Sequence, residues 1–70
     1  MLKIENFINE NLNEFNLLEN SEVKEYNTNE IDNDIVDYLK DSFRQRYDYK
    51  DICVYYVEDY NKVWVQNMAS

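Results

Sequence analysis

The chain contains no glycine and no proline among its 70 residues. Every tight turn must therefore be made by a residue that carries a Cβ atom. Asparagine and aspartate tolerate the left-handed backbone region best among such residues. Asparagine is abundant, with eleven copies. The sequence therefore predicts that asparagine and aspartate make the turns of this fold.

The length of the chain predicts one small domain, residues 1–70. A domain of this size buries only about 60% of its unfolded surface. Cys53 is the only cysteine and there is no histidine, so neither an internal disulfide nor a structural zinc site is expected. We expect no metal and no cofactor, and stability must come from a packed core, helped by a partner or a second copy.

Two segments have the apolar spacing of helices. The apolar spacing in residues 2–18 is helical and predicts a first helix with one side facing the core. Its apolar residues are Ile4, Phe7, Ile8, Leu12 and Phe15. In residues 29–46, apolar residues recur every four positions, and Thr28 or Asn29 can cap the start. The recurring residues are Ile31, Ile35, Leu39 and Phe43.

The second half of the chain predicts a β-hairpin over residues 51–67, with Glu58–Asn61 as its turn. Pairing Val54 with Val65 makes one face apolar. The same register places Tyr55 and Trp64 together on the reverse face. Residues 21–27 fit either a short edge strand or a loop. The predicted fold class is α+β, two helices on a small antiparallel sheet in the order α–(β)–α–β–β.

Fifteen acidic residues against seven basic ones give a net charge of −8. Such a chain is repelled by nucleic acids and by anionic membranes, and it is attracted to basic surfaces. The N-terminal residues lack the apolar run of a signal peptide, and nothing approaches a membrane span. We therefore expect a cytoplasmic protein whose partner is a basic protein, with no direct contact to nucleic acid or membrane.

Four acids form what we call the acidic stripe along the second predicted helix: Glu30, Asp34, Asp37 and Asp41. A helix places them over about 16 Å, one carboxylate per ~4–5 Å, against one phosphate per ~3.4 Å of a DNA strand. Four more acids are expected to extend this surface: Asp48, Asp51, Glu58 and Asp59. The alternative is an ordinary solvated helix face, since early acids and late bases complement the helix dipole.

Tyr55 and Trp64 are candidate partner-binding residues, because both residue types are enriched at binding hot spots. The alternative is that the first helix or a homodimer mate covers them. Catalysis is not expected, since Cys53 has no nearby base and no acid pair is marked out. The run "DND" at residues 32–34 lacks the central glycine and distal glutamate of a calcium loop.

In overall character the chain resembles small acidic phage-encoded inhibitors of the anti-CRISPR and DNA-mimic type. The resemblance lies in the acidic residues named above, the lack of histidine and a composition typical of an AT-rich genome. It implies an inhibitor that occupies a basic nucleic-acid groove, such as that of a Cas effector, in the host cytoplasm. The alternative is an antitoxin, a nuclease-immunity protein or a small phage regulator that binds its partner through the hairpin aromatics.

Overall fold

The β-branched and aromatic residues near the C-terminus form the predicted hairpin, which lies at the centre of the sheet. In the computed structural model, which describes residues 1–69, strands β3 (Ile52–Val57) and β4 (Lys62–Asn67) pair antiparallel with Val54 opposite Val65 and Tyr55 opposite Trp64. This is the predicted register. The turn is also as predicted: Asn61 has a φ of 52° and donates its N–H to the carbonyl of Glu58.

The fold is α+β, as predicted, with a four-stranded antiparallel sheet in the order β1–β4–β3–β2. The segment 21–27, which by sequence fits either an edge strand or a loop, contains an edge strand, β1. The elements are α1 (Lys3–Glu10), α2 (Leu12–Asn16), β1 (Lys24–Asn27), α3 (Asn33–Asp41), β2 (Arg46–Tyr49), β3 (Ile52–Val57) and β4 (Lys62–Asn67).

The first predicted helix is broken into two, so the expectation of two helices was wrong. At Asn11 the backbone leaves the helical region, with φ −113° and ψ 13°. The side-chain amide of Asn11 donates to the carbonyl of Phe7 at 2.8 Å. Asparagine side chains compete with the backbone in this way, which weakens a helix interior. The break lets Phe15 turn into the core, where it is fully buried.

The second helix is shorter than the predicted range 29–46 and begins at a different cap. Asp32, rather than Thr28 or Asn29, accepts the N–H of Asp34 at 2.9 Å. After Asp41 the helix ends, and the side chain of Phe43 is 84% exposed instead of continuing the apolar side.

Strand β2 was not predicted, and a turn without glycine explains why. Lys50 and Asp51 have φ values of 51° and 63° and connect β2 to β3 as a two-residue turn. Such turns need positive φ at both positions, and Asn-Gly is their usual sequence signal. Tyr47 and Tyr49 of β2 pack against the core.

The helices and the sheet form two layers with one apolar core between them. Residues from all three helices contact the inner face of β3 and β4. The buried core comprises Ile4, Ile8, Phe15, Ile31, Ile35, Val36, Leu39, Ile52, Val54, Val63 and Val65. Within residues 1–69, no helix combines the length and the apolarity that crossing a membrane requires.

Asparagine and aspartate supply only part of the left-handed turn geometry. Of the five positive-φ positions in residues 1–69, Asp51 and Asn61 fit the prediction, whereas Arg44, Gln45 and Lys50 do not. Left-handed geometry costs a residue with a Cβ atom about 1–2 kcal/mol. The chain therefore carries local backbone strain at the turn before β2 and at the turn after it.

Capping by Asp32 is tested by single substitutions. Asp32→Ala should lower the free energy of unfolding by about 1 kcal/mol, because the N–H of Asp34 loses its acceptor. Asn29→Ala should change it by less than about 0.5 kcal/mol. Urea unfolding followed by circular dichroism measures both. Asp32→Asn is the control, since it keeps the capping oxygen; a loss as large as that of Asp32→Ala would contradict a capping role.

The strain at Gln45 predicts that glycine stabilises the protein there. Gln45→Gly removes a steric cost of about 1–2 kcal/mol and adds an entropic cost of about 0.5–1 kcal/mol, for a net gain centred on about 0.75 kcal/mol and no larger than about 1.5 kcal/mol. Thermal or urea unfolding measures the gain. Gln45→Ala keeps the Cβ atom and should give none, so an equal gain from alanine would refute the strain.

Candidate functional site

The exposed side of α3 carries three of the four acids of the predicted stripe. Asp34, Asp37 and Asp41 are exposed, on the side of the helix opposite its buried residues. Glu30 does not belong to the helix. It lies in a 3₁₀ turn before the cap, where its carboxylate accepts the N–H of Asn27 at 2.7 Å. The four-residue stripe is therefore corrected to three residues.

The charge of Asp34 is compensated, whereas those of Asp37 and Asp41 are not. The ammonium group of Lys3 lies 2.5 Å from Asp34 and 3.6 Å from Asp32. The hydrogen bond to Asp34 is the main cause of a raised pKa of Lys3. Within residues 1–69, neither Asp37 nor Asp41 takes part in an ion pair or a side-chain hydrogen bond.

Lys40 is the basic residue next to these two acids along the helix, and it is directed elsewhere. Its ammonium group lies 5.2 Å from the ring centroid of Tyr56. This cation–π contact places the last turns of α3 near the end of β3, where the turn Glu58–Tyr60 follows. Asp37 and Asp41, one helical turn or about 6 Å apart along the axis, therefore form the uncompensated part of the stripe.

The four acids expected to extend the stripe do not form one continuous surface with it. Asp48 pairs with the guanidinium of Arg46 at 2.9 Å on the other side of the sheet. Asp51 lies in the β2–β3 turn, at the opposite end of β3 from Glu58 and Asp59. Six residues of strand separate these ends by about 20 Å. Glu58 and Asp59, both exposed, lie in the turn that follows β3, the strand whose Tyr56 contacts Lys40 of α3.

The sheet face opposite the core, which we call the outer face, carries the predicted aromatic pair. The rings of Tyr55 and Trp64 meet edge to face, with centroids 5.9 Å apart. Tyr60, from the adjacent turn, stacks on Trp64 at 6.1 Å and an interplanar angle of 21°. The sequence gives no signal of this stacking, because it depends on how the turn folds back over β4. Trp64 is partly exposed, although its indole nitrogen is buried and has no hydrogen-bond partner in the described chain.

The charges of the outer face compensate one another. Strand alternation and register place two acids and two bases among its side chains. Glu25 pairs with Lys62 at 3.3 Å, and Asp48 pairs with Arg46. The strand side chains of the outer face thus carry no net charge, and the −8 of the chain belongs to the remaining residues.

Cys53 also belongs to the outer face and is 1% exposed. Burial, together with a hydrogen bond to Asp48, raises the pKa of its thiol to about 12. A thiol with so high a pKa is protonated at neutral pH and is a poor nucleophile. Among residues 1–69, no three cysteine, aspartate or glutamate side chains come together as a metal site.

One open groove was not anticipated from the sequence. It has a volume of about 450 Å³ and lies where α3 leads into β2. Phe43 and Arg44 line it, and the guanidinium of Arg44 lies 5.3 Å from the Phe43 ring centroid. The prediction of a continuous helix over this segment concealed the groove, because it placed Phe43 in the core.

The hydroxyl of Tyr47 holds β2 against α1. It donates to the carboxylate of Glu5 at 2.7 Å. This hydrogen bond lowers the pKa of Glu5 and is the main cause that raises the pKa of Tyr47 to about 12. The contact fixes the strand that carries Arg46 and Asp48.

Comparison of the chain with protein-family models, with curated proteins and with solved structures gives no match. The exposed side of α3 and the outer face are therefore the features from which a function can be inferred.

The Tyr47–Glu5 contact predicts a loss of stability at alkaline pH. The pKa of Tyr47 is higher in the folded chain than the ordinary value of 10.0, so its contribution is complete below pH 10 and is lost as pH rises through about 12. Tyr47→Phe should lower stability at neutral pH and remove this part of the alkaline decline. Urea unfolding of both proteins across that pH range measures the difference. Parallel pH curves for the two proteins would show that Tyr47 does not contribute.

Proposed function

We propose that this protein is a non-enzymatic inhibitor that binds a basic nucleic-acid-binding groove of a bacterial defence protein, such as a CRISPR effector. In this proposal its carboxylates take the place of phosphates against arginine and lysine side chains of the groove. Charge-assisted hydrogen bonds from those cations suit carboxylates as well as phosphates.

The observation that supports this proposal is the distribution of uncompensated charge. Within residues 1–69, five of the fifteen acids form ion pairs and ten do not. The paired acids are Glu14, Glu25, Asp32, Asp34 and Asp48. The outer face is neutral, so the excess lies outside it. A surface of this kind attracts a basic partner over a distance of about one Debye length, ~10 Å at 0.1 M salt.

Asp37 and Asp41 are the residues proposed to make the central contacts, with Glu58 and Asp59 beside them. One carboxylate per helical turn, about 6 Å of axis, is sparser than one phosphate per ~3.4 Å of strand. The protein therefore imitates the charge of a nucleic acid at selected positions of the groove rather than phosphate by phosphate. Asp34 is left out, because Lys3 already compensates it.

The proposal is tested with two double variants that change the net charge equally. Asp37→Asn with Asp41→Asn removes uncompensated carboxylates, and Glu25→Gln with Asp48→Asn removes ion-paired ones. The first should weaken binding to a guide-RNA-loaded CRISPR effector about tenfold or more, since each lost hydrogen bond to a charged group is worth about 1.5–3 kcal/mol. The second should change binding little. Binding is measured by calorimetry, in competition with target DNA.

The salt dependence supplies a second criterion. Binding of the wild-type chain should weaken steadily as salt rises, as charge contacts require. If no effector from a panel of CRISPR systems binds, or if the two double variants bind equally well, charge mimicry by α3 is wrong. Binding that is indifferent to salt would also reject it.

A further inference from the structure

We propose that the outer face is a self-association surface, on which a second copy of this chain packs as a two-fold symmetric dimer. The helices of the described chain pack on the inner face of the sheet. The outer face retains a partly exposed aromatic centre of Tyr55, Tyr60 and Trp64. Aromatic side chains of this kind are enriched at the centres of protein interfaces.

Charge favours this face over the acidic side of α3 for contact between identical chains. Two copies with a net charge of −8 each repel one another. The outer face is where two acids and two bases balance, so contact through it brings no local excess of like charge together. The exposed side of α3, with Asp37 and Asp41, is the least favourable face for the same reason.

The order of residues across the sheet makes the face complementary to itself. Strand pairing sets Glu25, Trp64, Tyr55 and Arg46 in one row across β1, β4, β3 and β2, which we call the central row. A two-fold axis parallel to the strands turns this row end for end. Glu25 then lies opposite the partner's Arg46, and Trp64 lies opposite the partner's Tyr55.

The other in-plane axis is unfavourable. A two-fold axis perpendicular to the strands would set Glu25 against the partner's Glu25 and Arg46 against the partner's Arg46. A symmetric interface presents the same patch on both copies, so the charge order of the central row selects the axis parallel to the strands. In that arrangement the α3 helices lie on opposite sides of the dimer, away from the interface.

The size of the face sets the strength of the dimer. Four strands about 4.8 Å apart and six residues of about 3.3 Å describe roughly 19 by 20 Å, or about 400 Å² in plan per copy. Stable interfaces bury about 800 Å² per partner. We therefore expect a reversible dimer that forms between about 10 µM and about 1 mM.

Sedimentation equilibrium over that concentration range tests the proposal with a charge exchange. Glu25→Arg alone and Arg46→Glu alone each set like charges opposite one another in a dimer of identical chains, so each variant should stay monomeric. An equimolar mixture of the two restores opposite charges at both ends of the row and should dimerise. Circular dichroism of each variant confirms folding before mixing.

Two further variants locate the interface. Trp64→Ala removes the aromatic centre and should abolish dimerisation. Leu17→Ala is the matched control, because Leu17 is an exposed apolar residue at the end of α2, on the helical side of the molecule. It should leave the dimer unchanged.

The outcomes separate this proposal from the proposed inhibitor function. Raising the salt concentration screens the repulsion between two acidic chains and should strengthen the dimer, whereas it weakens binding to a basic partner. A wild-type chain that stays monomeric throughout the range overturns the proposal, as does a mixture that does not dimerise. Binding of the effector that is lost in Trp64→Ala, with a monomeric wild-type chain, would assign the outer face to a different protein.

Discussion

The register of the β3–β4 hairpin determines the rest of the structure. Setting Val54 opposite Val65 places the small β-branched side chains on one face, where they pack against the three helices. The same alternation sends Tyr55 and Trp64 to the other face, and a slip of one residue would reverse both. The core and the outer face are thus two consequences of one strand pairing. The single free cysteine forms no disulfide that could fix a different register.

The second organising feature is the arrangement of charge. The outer face pairs each of its acids with a base, whereas Asp37 and Asp41 of α3 and the acids of the β3–β4 turn form no ion pair within residues 1–69. The ion pair between Lys3 and Asp34 joins α1 to α3. It also compensates one of the three exposed carboxylates of α3. Two proposals follow from this division, because a neutral aromatic face suits a second copy and an uncompensated acidic face suits a basic partner.

The sequence was sufficient for the fold class, the hairpin and its register, because β-branched alternation over residues 52–57 and 62–67 leaves one pairing that buries an apolar face. It was insufficient where local chemistry overrode periodicity. The side chain of Asn11 interrupts the first predicted helix by bonding to its backbone, and Asp32 is the N-cap at which α3 begins. Strand β2 could not be anticipated, since Lys50 and Asp51 occupy a turn that ordinarily shows glycine. For the candidate site, helical spacing was enough to place Asp34, Asp37 and Asp41 on one exposed side of α3, but only tertiary contacts distinguish the acid that Lys3 neutralises.

The central claim is that Asp37 and Asp41 form the main uncompensated anionic surface of this protein. A titration of the isotope-labelled chain with a poly-arginine peptide, followed by two-dimensional NMR, measures where a polycation binds. We expect the largest changes in amide chemical shift at residues 37–41 of α3 and at residues 58–59, and we expect these changes to disappear at high salt. Shift changes centred on Trp64 and Tyr55, or spread evenly over all acidic residues, would contradict it.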